Sequence, residues 1–208
     1  MNRNGKDKLR IAFLRHGPTE WNEQGRIQGR IDVALSQAGR AKMARLLPPD
    51  GFELARAYVS PLKRARETAQ LLGITNVTVD DRLSEHHWGE WEGLTREEIL
   101  ARDGEDAFVR AGSGIDFCPK GGESTNELVL RLSSFLHDVA SQDGDAIAIT
   151  HRGILRSAYA LATNWDMTSP MPAKLDLSQA LVLDLGKDRT AHIAAMNVPL
   201  RSKTAGGV

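Results

Sequence analysis

The chain is short of three things: cysteine, long apolar runs and net charge. Cys118 is the single cysteine in 208 residues, which excludes an intramolecular disulfide framework and suits a reducing compartment. In the dipeptide Cys118-Pro119 the thiol reads as an incidental loop position, with a catalytic thiol as the sharper alternative. No apolar run approaches the roughly 18 residues of a membrane-spanning helix. The polar start Met1 to Lys8 lacks the apolar stretch of a secretory signal, so the cytoplasm is the expected compartment and no membrane partner is expected. Lys plus Arg and Asp plus Glu both number 27, leaving no net field to attract nucleic acid or an anionic surface. Basic residues must therefore be read locally, as components of a pocket.

What is present is an alternation of short apolar runs and amphipathic stretches. Ile11 to Leu14, Ala57 to Val59, Asn76 to Val79 and Ala146 to Thr150 read as strands. Ser36 is placed to cap a helix running to about Leu47, ahead of Pro48-Pro49. Pro61 suits the first position of a helix running to Leu72 and ending at Gly73. Thr95 to Arg102, Glu123 to Ala140 and Ile154 to Thr163 are the other expected helices. In the 123–140 stretch, Leu128, Leu132, Phe135, Leu136 and Val139 recur at helical spacing, which marks a core-packing helix. Ala180 to Leu185 and Ala191 to Met196 read as a closing hairpin around Gly186-Lys187-Asp188, and the tail from Ser202 as frayed. This order predicts an α/β protein, a three-layer α/β/α sandwich with a mostly parallel central sheet. A single domain over 1–208 is expected, with a lid or specificity region at about 86–122, where seven glycines fall among charges.

Three junctions carry the chemistry: Arg15-His16-Gly17, Ser60-Pro61-Leu62-Lys63-Arg64-Ala65-Arg66 and Thr150-His151-Arg152-Gly153. If their strands are parallel, all three lie at the carboxyl edge of the sheet, where open α/β sheets bind ligands. Two imidazoles and several guanidiniums then converge on one pocket. Such a pocket fits an anion, and a phosphoryl group best, because planar guanidinium forks match its oxygens and stabilise the charge spread over them in the transition state.

The run Leu14-Arg15-His16-Gly17-Pro18-Thr19-Glu20-Trp21-Asn22, followed by Gln28-Gly29 and Leu35-Ser36, resembles the opening of the histidine phosphatase superfamily, the phosphoglycerate mutase-like family. Four further segments resemble that family's later signatures in order: 60–69, 83–93, Gly121-Gly122-Glu123-Ser124 and 150–156. The Gly25-Arg26-Ile27-Gln28-Gly29 stretch is similar to the bacterial small phosphatases of broad-specificity or α-ribazole phosphate type, and the longer lid insertion of the glycolytic mutases is missing.

The resemblance implies hydrolysis of a small phosphomonoester, with no cofactor and no metal. His16 matches the nucleophile that forms a phosphohistidine, and Glu85 the acid that protonates the leaving oxygen and then activates water. Arg15, Arg64 and His151 match the phosphate pocket, and Asn22 a further phosphate contact. Thr19, Gln28, Gly29, His86 and Arg152 are the other candidate substrate-binding positions. Arg152 stands where the family usually has Gly; a long cation there would add a contact to a second anionic group or turn to solvent. A monomer or homodimer is expected.

Bland readings accompany these. Arg64 and Arg66 lie two apart on a helix and cannot face the same way, so Arg66 is expected in a structural salt bridge, to Glu67 or a neighbouring loop. Glu85-His86-His87 lacks the i, i+4 spacing of helical zinc sites, and adjacent residues in extended structure point to opposite faces; one His is expected to line the pocket and the other to pack outward. Trp88 and Trp91 suit either stacking on a leaving group or packing under the lid. Two alternative functions remain: a bisphosphoglycerate-dependent phosphoglycerate mutase, and a non-catalytic protein that binds a phosphorylated ligand.

Overall fold

The computed structural model of the chain describes residues 8–108, 114–188 and 190–203. Its strands are β1 (Lys8–Arg15), β2 (Leu46–Leu47), β3 (Arg56–Val59), β4 (Val77–Val79), β5 (Ala146–Thr150), β6 (Ala180–Gly186), β7 (Ala191–Val198) and β8 (Arg201–Ser202). A six-stranded sheet has the order β4-β3-β5-β1-β6-β7. The first four of these run parallel, and β6 and β7 close the sheet antiparallel as the expected hairpin.

Side-chain alternation along the strands divides the core in two. On one face Ile11, Phe13, Ala148, Leu181 and Leu183 pack against α5 (Thr125–Ala140) and α6 (Arg152–Thr163). On the other, Ala12, Leu14, Val59, Ile147 and Val182 pack against α2 (Gln37–Ala44) and α3 (Lys63–Leu71). Because β5 is covered on both faces, all its residues are buried, which is why it reads as a continuous apolar run. The result is the three-layer sandwich with a mostly parallel sheet.

Local boundaries differ from expectation where tertiary pairing intervenes. The α2 helix stops at Ala44, and Leu46–Leu47 pairs antiparallel with β8. That pairing also ties down the chain that was expected to fray at Ser202, and the Lys203 amide donates to the Arg45 carbonyl at 2.7 Å. Residues 204–208 of that tail lie outside the described residues. Pro61 is not the first residue of α3: Leu62 is the N-cap and Lys63 begins the helix, while the Ser60 hydroxyl accepts from the Leu62 amide at 3.3 Å. The α6 helix starts at Arg152, directly after His151, two residues earlier than its apolar pattern suggests.

Between β4 and α5 the chain turns at Asp81–Leu83 and Gly89–Trp91 and forms α4 (Arg96–Asp103), whose N-cap Thr95 makes a capping box with Glu98. Trp91, Ile99 and Ala107 give this region a small core of its own. Among the described residues no helix is long and apolar enough to cross a membrane.

Candidate active site

Parallel pairing sets Arg15 opposite Thr150 and Val59 opposite Ile149, so β1, β3 and β5 end at one edge. The His16 amide donates to the Thr150 carbonyl at 2.9 Å and the Ser60 amide to Ile149 at 3.0 Å, extending the ladder by one residue into the site. The imidazoles of His16 and His151 thereby lie with ring centroids 5.2 Å apart.

His16 is buried, and its Nδ1 lies 2.7 Å from the Gly17 carbonyl oxygen. A carbonyl only accepts, so Nδ1 carries the proton and Nε2 keeps the lone pair. Burial, then the charges of Arg15 and Arg64, push the imidazole well below its ordinary pKa, and the Gly17 bond only partly opposes them. His151 has zero exposure, and its Nε2 lies 2.7 Å from the Ser60 hydroxyl. Burial, followed by Arg64, His16 and Arg15, also holds it well below the usual histidine range.

Arg64, at the start of α3, is fully buried. Its Nη1 donates to the Ile31 carbonyl at 2.9 Å and its Nη2 to Gly29 at 2.6 Å. That loop is shaped by the Glu92 carboxylate, which accepts from the amides of Arg30, Ile31 and Trp88. Gly29 has φ +52°, and a Cβ there would stand 2.0 Å from Glu92 Oε1, so only glycine lets the loop close over the carboxylate. The Thr68 hydroxyl accepts from the Gly17 amide and donates to the Arg64 carbonyl, linking the two junctions. Three buried nitrogens nevertheless have no partner: Nε of Arg15, Nε of Arg64 and Nδ1 of His151. Buried donors without partners are rare and costly, and three in one site suit a group rich in acceptor oxygens.

Glu85 is held by backbone amides, its Oε1 accepting from His86 at 2.8 Å and from Gly153 at 2.9 Å. A Cβ on Gly153 would stand 2.3 Å from that oxygen. The Glu85 carbonyl accepts from Arg131, which is ion-paired to Glu123, and the Glu123 carbonyl lies 2.8 Å from His86 Nε2.

These residues open into a cavity of about 570 Å³. Arg15, His16, Asn22, Gln28, Gly29, Glu85, His86 and Arg152 line it, whereas Arg64 and His151 lie buried outside its lining. Thr19, expected to touch substrate, is buried in a capping box with Asn22 at the start of the short helix α1 (Glu20–Glu23) and does not line the cavity. His87 turns to Glu92 rather than the cavity. The two tryptophans divide their roles, since Trp88 lines the cavity and stacks on Trp91, which sits in the small core. Arg66 is exposed and among the described residues makes no ion pair; Glu67, its expected partner, binds Arg40. Cys118 is exposed and does not line the cavity. Among the described residues no group of three or more His, Cys, Asp or Glu could hold a metal ion.

Sequence reasoning missed the residues that hold the others: Ser60, Thr68, Glu92, Glu123 and Arg131. Ser60, Thr68, Glu92 and Glu123 stand inside motif segments, so they were visible but had no assigned task. The loop partners Arg30 and Ile31 lie about sixty residues from Glu92, and nothing local signals them.

Residues 11–198 match the family model of the histidine phosphatase superfamily (branch 1). Phosphoglycerate mutase-like protein 4 of Arabidopsis thaliana is 36% identical over 166 residues, covering 75% of this chain and 72% of that protein. The metal-independent phosphoserine phosphatase of the same plant is 34% identical over 164 residues, 74% of this chain and 68% of its own length. Among solved structures, a mycobacterial glucosyl-3-phosphoglycerate phosphatase in complex with inorganic phosphate superposes with a TM-score of 0.78 at 25% identity, covering 92% of this chain and 98% of that one. The fold, the ordered motifs and these relatives agree: the chain belongs to the histidine phosphatase superfamily, branch 1.

Proposed function

We propose that the protein is a phosphatase that hydrolyses a small phosphomonoester through a phosphohistidine on His16. One observation carries the reading: a neutral buried imidazole with its lone pair on Nε2 stands beside three buried nitrogens, on Arg15, Arg64 and His151, that lack partners. The phosphatase names of its relatives support hydrolysis as the direction.

In the first step His16 Nε2 attacks phosphorus. The P–N bond forms as the bond to the ester oxygen breaks, and the leaving oxygen takes the proton of the Glu85 carboxyl. The Gly17 carbonyl holds the Nδ1 proton and stabilises the cationic ring that results. Arg15 and Arg64 balance the phosphoryl charge, and with the Ser60 hydroxyl donating to Nε2 of His151, the Nδ1–H of that ring donates to a phosphoryl oxygen. In the second step the Glu85 carboxylate takes a proton from water, the water oxygen bonds to phosphorus, and the P–N electron pair returns to Nε2. Inorganic phosphate leaves and Glu85 is protonated again. Asn22, Gln28, Gly29 and His86 shape the cavity around the ester.

The fixed guanidiniums supply the neutralisation that a divalent ion provides in other phosphoryl-transfer sites, so turnover is expected to persist in a chelator. We further propose that the chain is one domain, with residues 86–122 controlling which ester enters. The test is phosphate release from p-nitrophenyl phosphate and a panel of small phosphomonoesters. The native enzyme is expected to release phosphate and to show acid-labile phosphoryl labelling, both abolished in His16→Ala with circular dichroism unchanged. Undiminished turnover by a folded His16→Ala variant overturns the mechanism; phosphate transfer between phosphoglycerates without net release favours the mutase instead.

A further inference from the structure

The outer part of the cavity carries positive charge that the proposed hydrolysis leaves unused. Arg152 and Arg156 stand at i and i+4 in the first turns of α6, on one side of the helix, and both line the cavity. Among the described residues neither makes an ion pair or a hydrogen bond. Arg156 is half-buried, with its guanidinium carbon 5.4 Å from the centroid of the Trp165 ring. Burial and then the charge of Arg152 lower its pKa, and Arg152 also acts against the protonated form of Arg15. Glu85 is the one carboxylate among the described residues lining this cavity, and two backbone amides already hold its Oε1. Arg26, another cation of the lining, differs: it donates to the Gly93 carbonyl and pairs with Glu98.

Two neighbouring cations without a counter-charge, one of them half-buried, repel each other, and an incoming anion relieves that repulsion. Their position also specifies where the anion sits. Gly153, between them, donates its amide to Glu85, the group that faces the leaving oxygen in the proposed mechanism. Arg152 and Arg156 therefore stand beside Glu85, next to the alcohol side of the ester.

We infer that Arg152 and Arg156 form a second anion subsite, and that the preferred substrate is a phosphomonoester whose alcohol portion bears a carboxylate or a second phosphate. This rests on the hydrolytic reading above. Guanidiniums bind both kinds of group bidentately, so the shared chemistry is an oxyanion beside the scissile ester.

The test is a ratio of kcat/KM values between matched esters. 3-Phosphoglycerate against glycerol 3-phosphate isolates a carboxylate, and fructose 1,6-bisphosphate against fructose 6-phosphate isolates a second phosphate. The native enzyme is expected to prefer the doubly anionic member of at least one pair by tenfold or more, and the pair that responds identifies the anion. Arg152→Ala with Arg156→Ala is expected to reduce that ratio to within threefold, mainly through KM, and Arg156→Lys to retain part of it. A merely structural role lowers both esters alike and leaves the ratio intact, which overturns the inference, as does a native ratio below threefold in both pairs. If the native enzyme releases phosphate from no ester, p-nitrophenyl phosphate included, the hydrolytic reading fails separately. The same ratios are then read as Kd values by calorimetry, with the same outcomes for and against.

Discussion

The inner end of the cavity and its outer chamber are built in opposite ways. At the inner end, Arg15 ends β1, His16 and His151 directly follow β1 and β5, and Arg64 lies in the first turn of α3; His16, Arg64 and His151 are buried and held by backbone carbonyls and a short hydroxyl contact. In the outer chamber, Arg96 rests on Phe108 with 4.1 Å to the ring centroid, Trp88 stacks on Trp91, and Arg152 projects without a partner among the described residues. Strand ends tolerate little displacement because ladder hydrogen bonds on both sides fix them, whereas stacked rings and exposed guanidiniums can be exchanged without disturbing the sheet. On the proposed reading, the phosphoryl chemistry belongs to the sheet edge and substrate choice to the loops and the first turns of α6. Substitutions that obey this division should abolish turnover at the inner end and redistribute substrates at the outer one.

The sharpest break is expected at Glu85. Glu85→Gln keeps an oxygen that can accept from the amides of His86 and Gly153 but removes the transferable proton. Turnover of an alkyl phosphate is expected to fall by roughly 10² to 10⁴, and that of p-nitrophenyl phosphate by less, because nitrophenolate leaves without protonation. Equal losses on the two esters would mean that Glu85 positions the substrate instead of moving a proton. Arg64→Ala comes next. Removing one buried cationic donor is expected to lower kcat/KM by about 10² to 10³. It also strips partners from the carbonyls of Gly29 and Ile31, at a cost of about 1–3 kcal/mol in urea unfolding. Loss of stability with full activity would move Arg64 out of the proposed machinery and into the scaffold.

Acidification probes the same inner end without substitution. Both histidine pKa values are lowered on folding, so the unfolded chain binds more protons in the range below the ordinary histidine value of 6.5. The penalty is absent above that value and grows as pH falls toward the depressed folded values. Stability is expected to drop as pH falls from 6.5 to 5.5, with both groups contributing in the same direction, measured as a shift in urea midpoint. A His16→Gln, His151→Gln double variant should flatten that slope; an unchanged slope would assign it to other groups.

Much of this division was legible in the sequence, and its limits follow from distance along the chain. The apolar runs of β1, β3 and β5 marked the strands, and His16, Arg64 and His151 could be placed at their ends because a parallel sheet has one carboxyl edge. Glu92 was not legible as the organiser of the 29–31 loop, since its acceptor role requires a contact across about sixty residues. Helix ends were misread where the competing partner was remote: Leu46–Leu47 leaves α2 for Arg201–Ser202, more than 150 residues later. The split between Trp88 and Trp91 was equally hidden, because two indoles three residues apart carry the same local signal whether they face a cavity or a core.

Trp88 supplies the mildest test, because it touches both regions. Its ring lies 5.9 Å from Trp91 at an interplanar angle of 9° and 4.4 Å from the His86 ring, so it joins the small core of residues 91–107 to the cavity wall. Trp88→Leu keeps an apolar but smaller side chain while removing the stacked face. Stacked aromatic pairs contribute roughly 0.5–1.5 kcal/mol beyond buried area, so a stability loss of at least about that size is expected. If the outer chamber selects substrates and takes no part in bond making, KM for an aryl phosphate should rise severalfold while kcat stays near the native value. A fall in kcat shared by alkyl and aryl esters would instead mean that the indole positions His86, and through its amide the Glu85 carboxylate, which would join the two regions into one device.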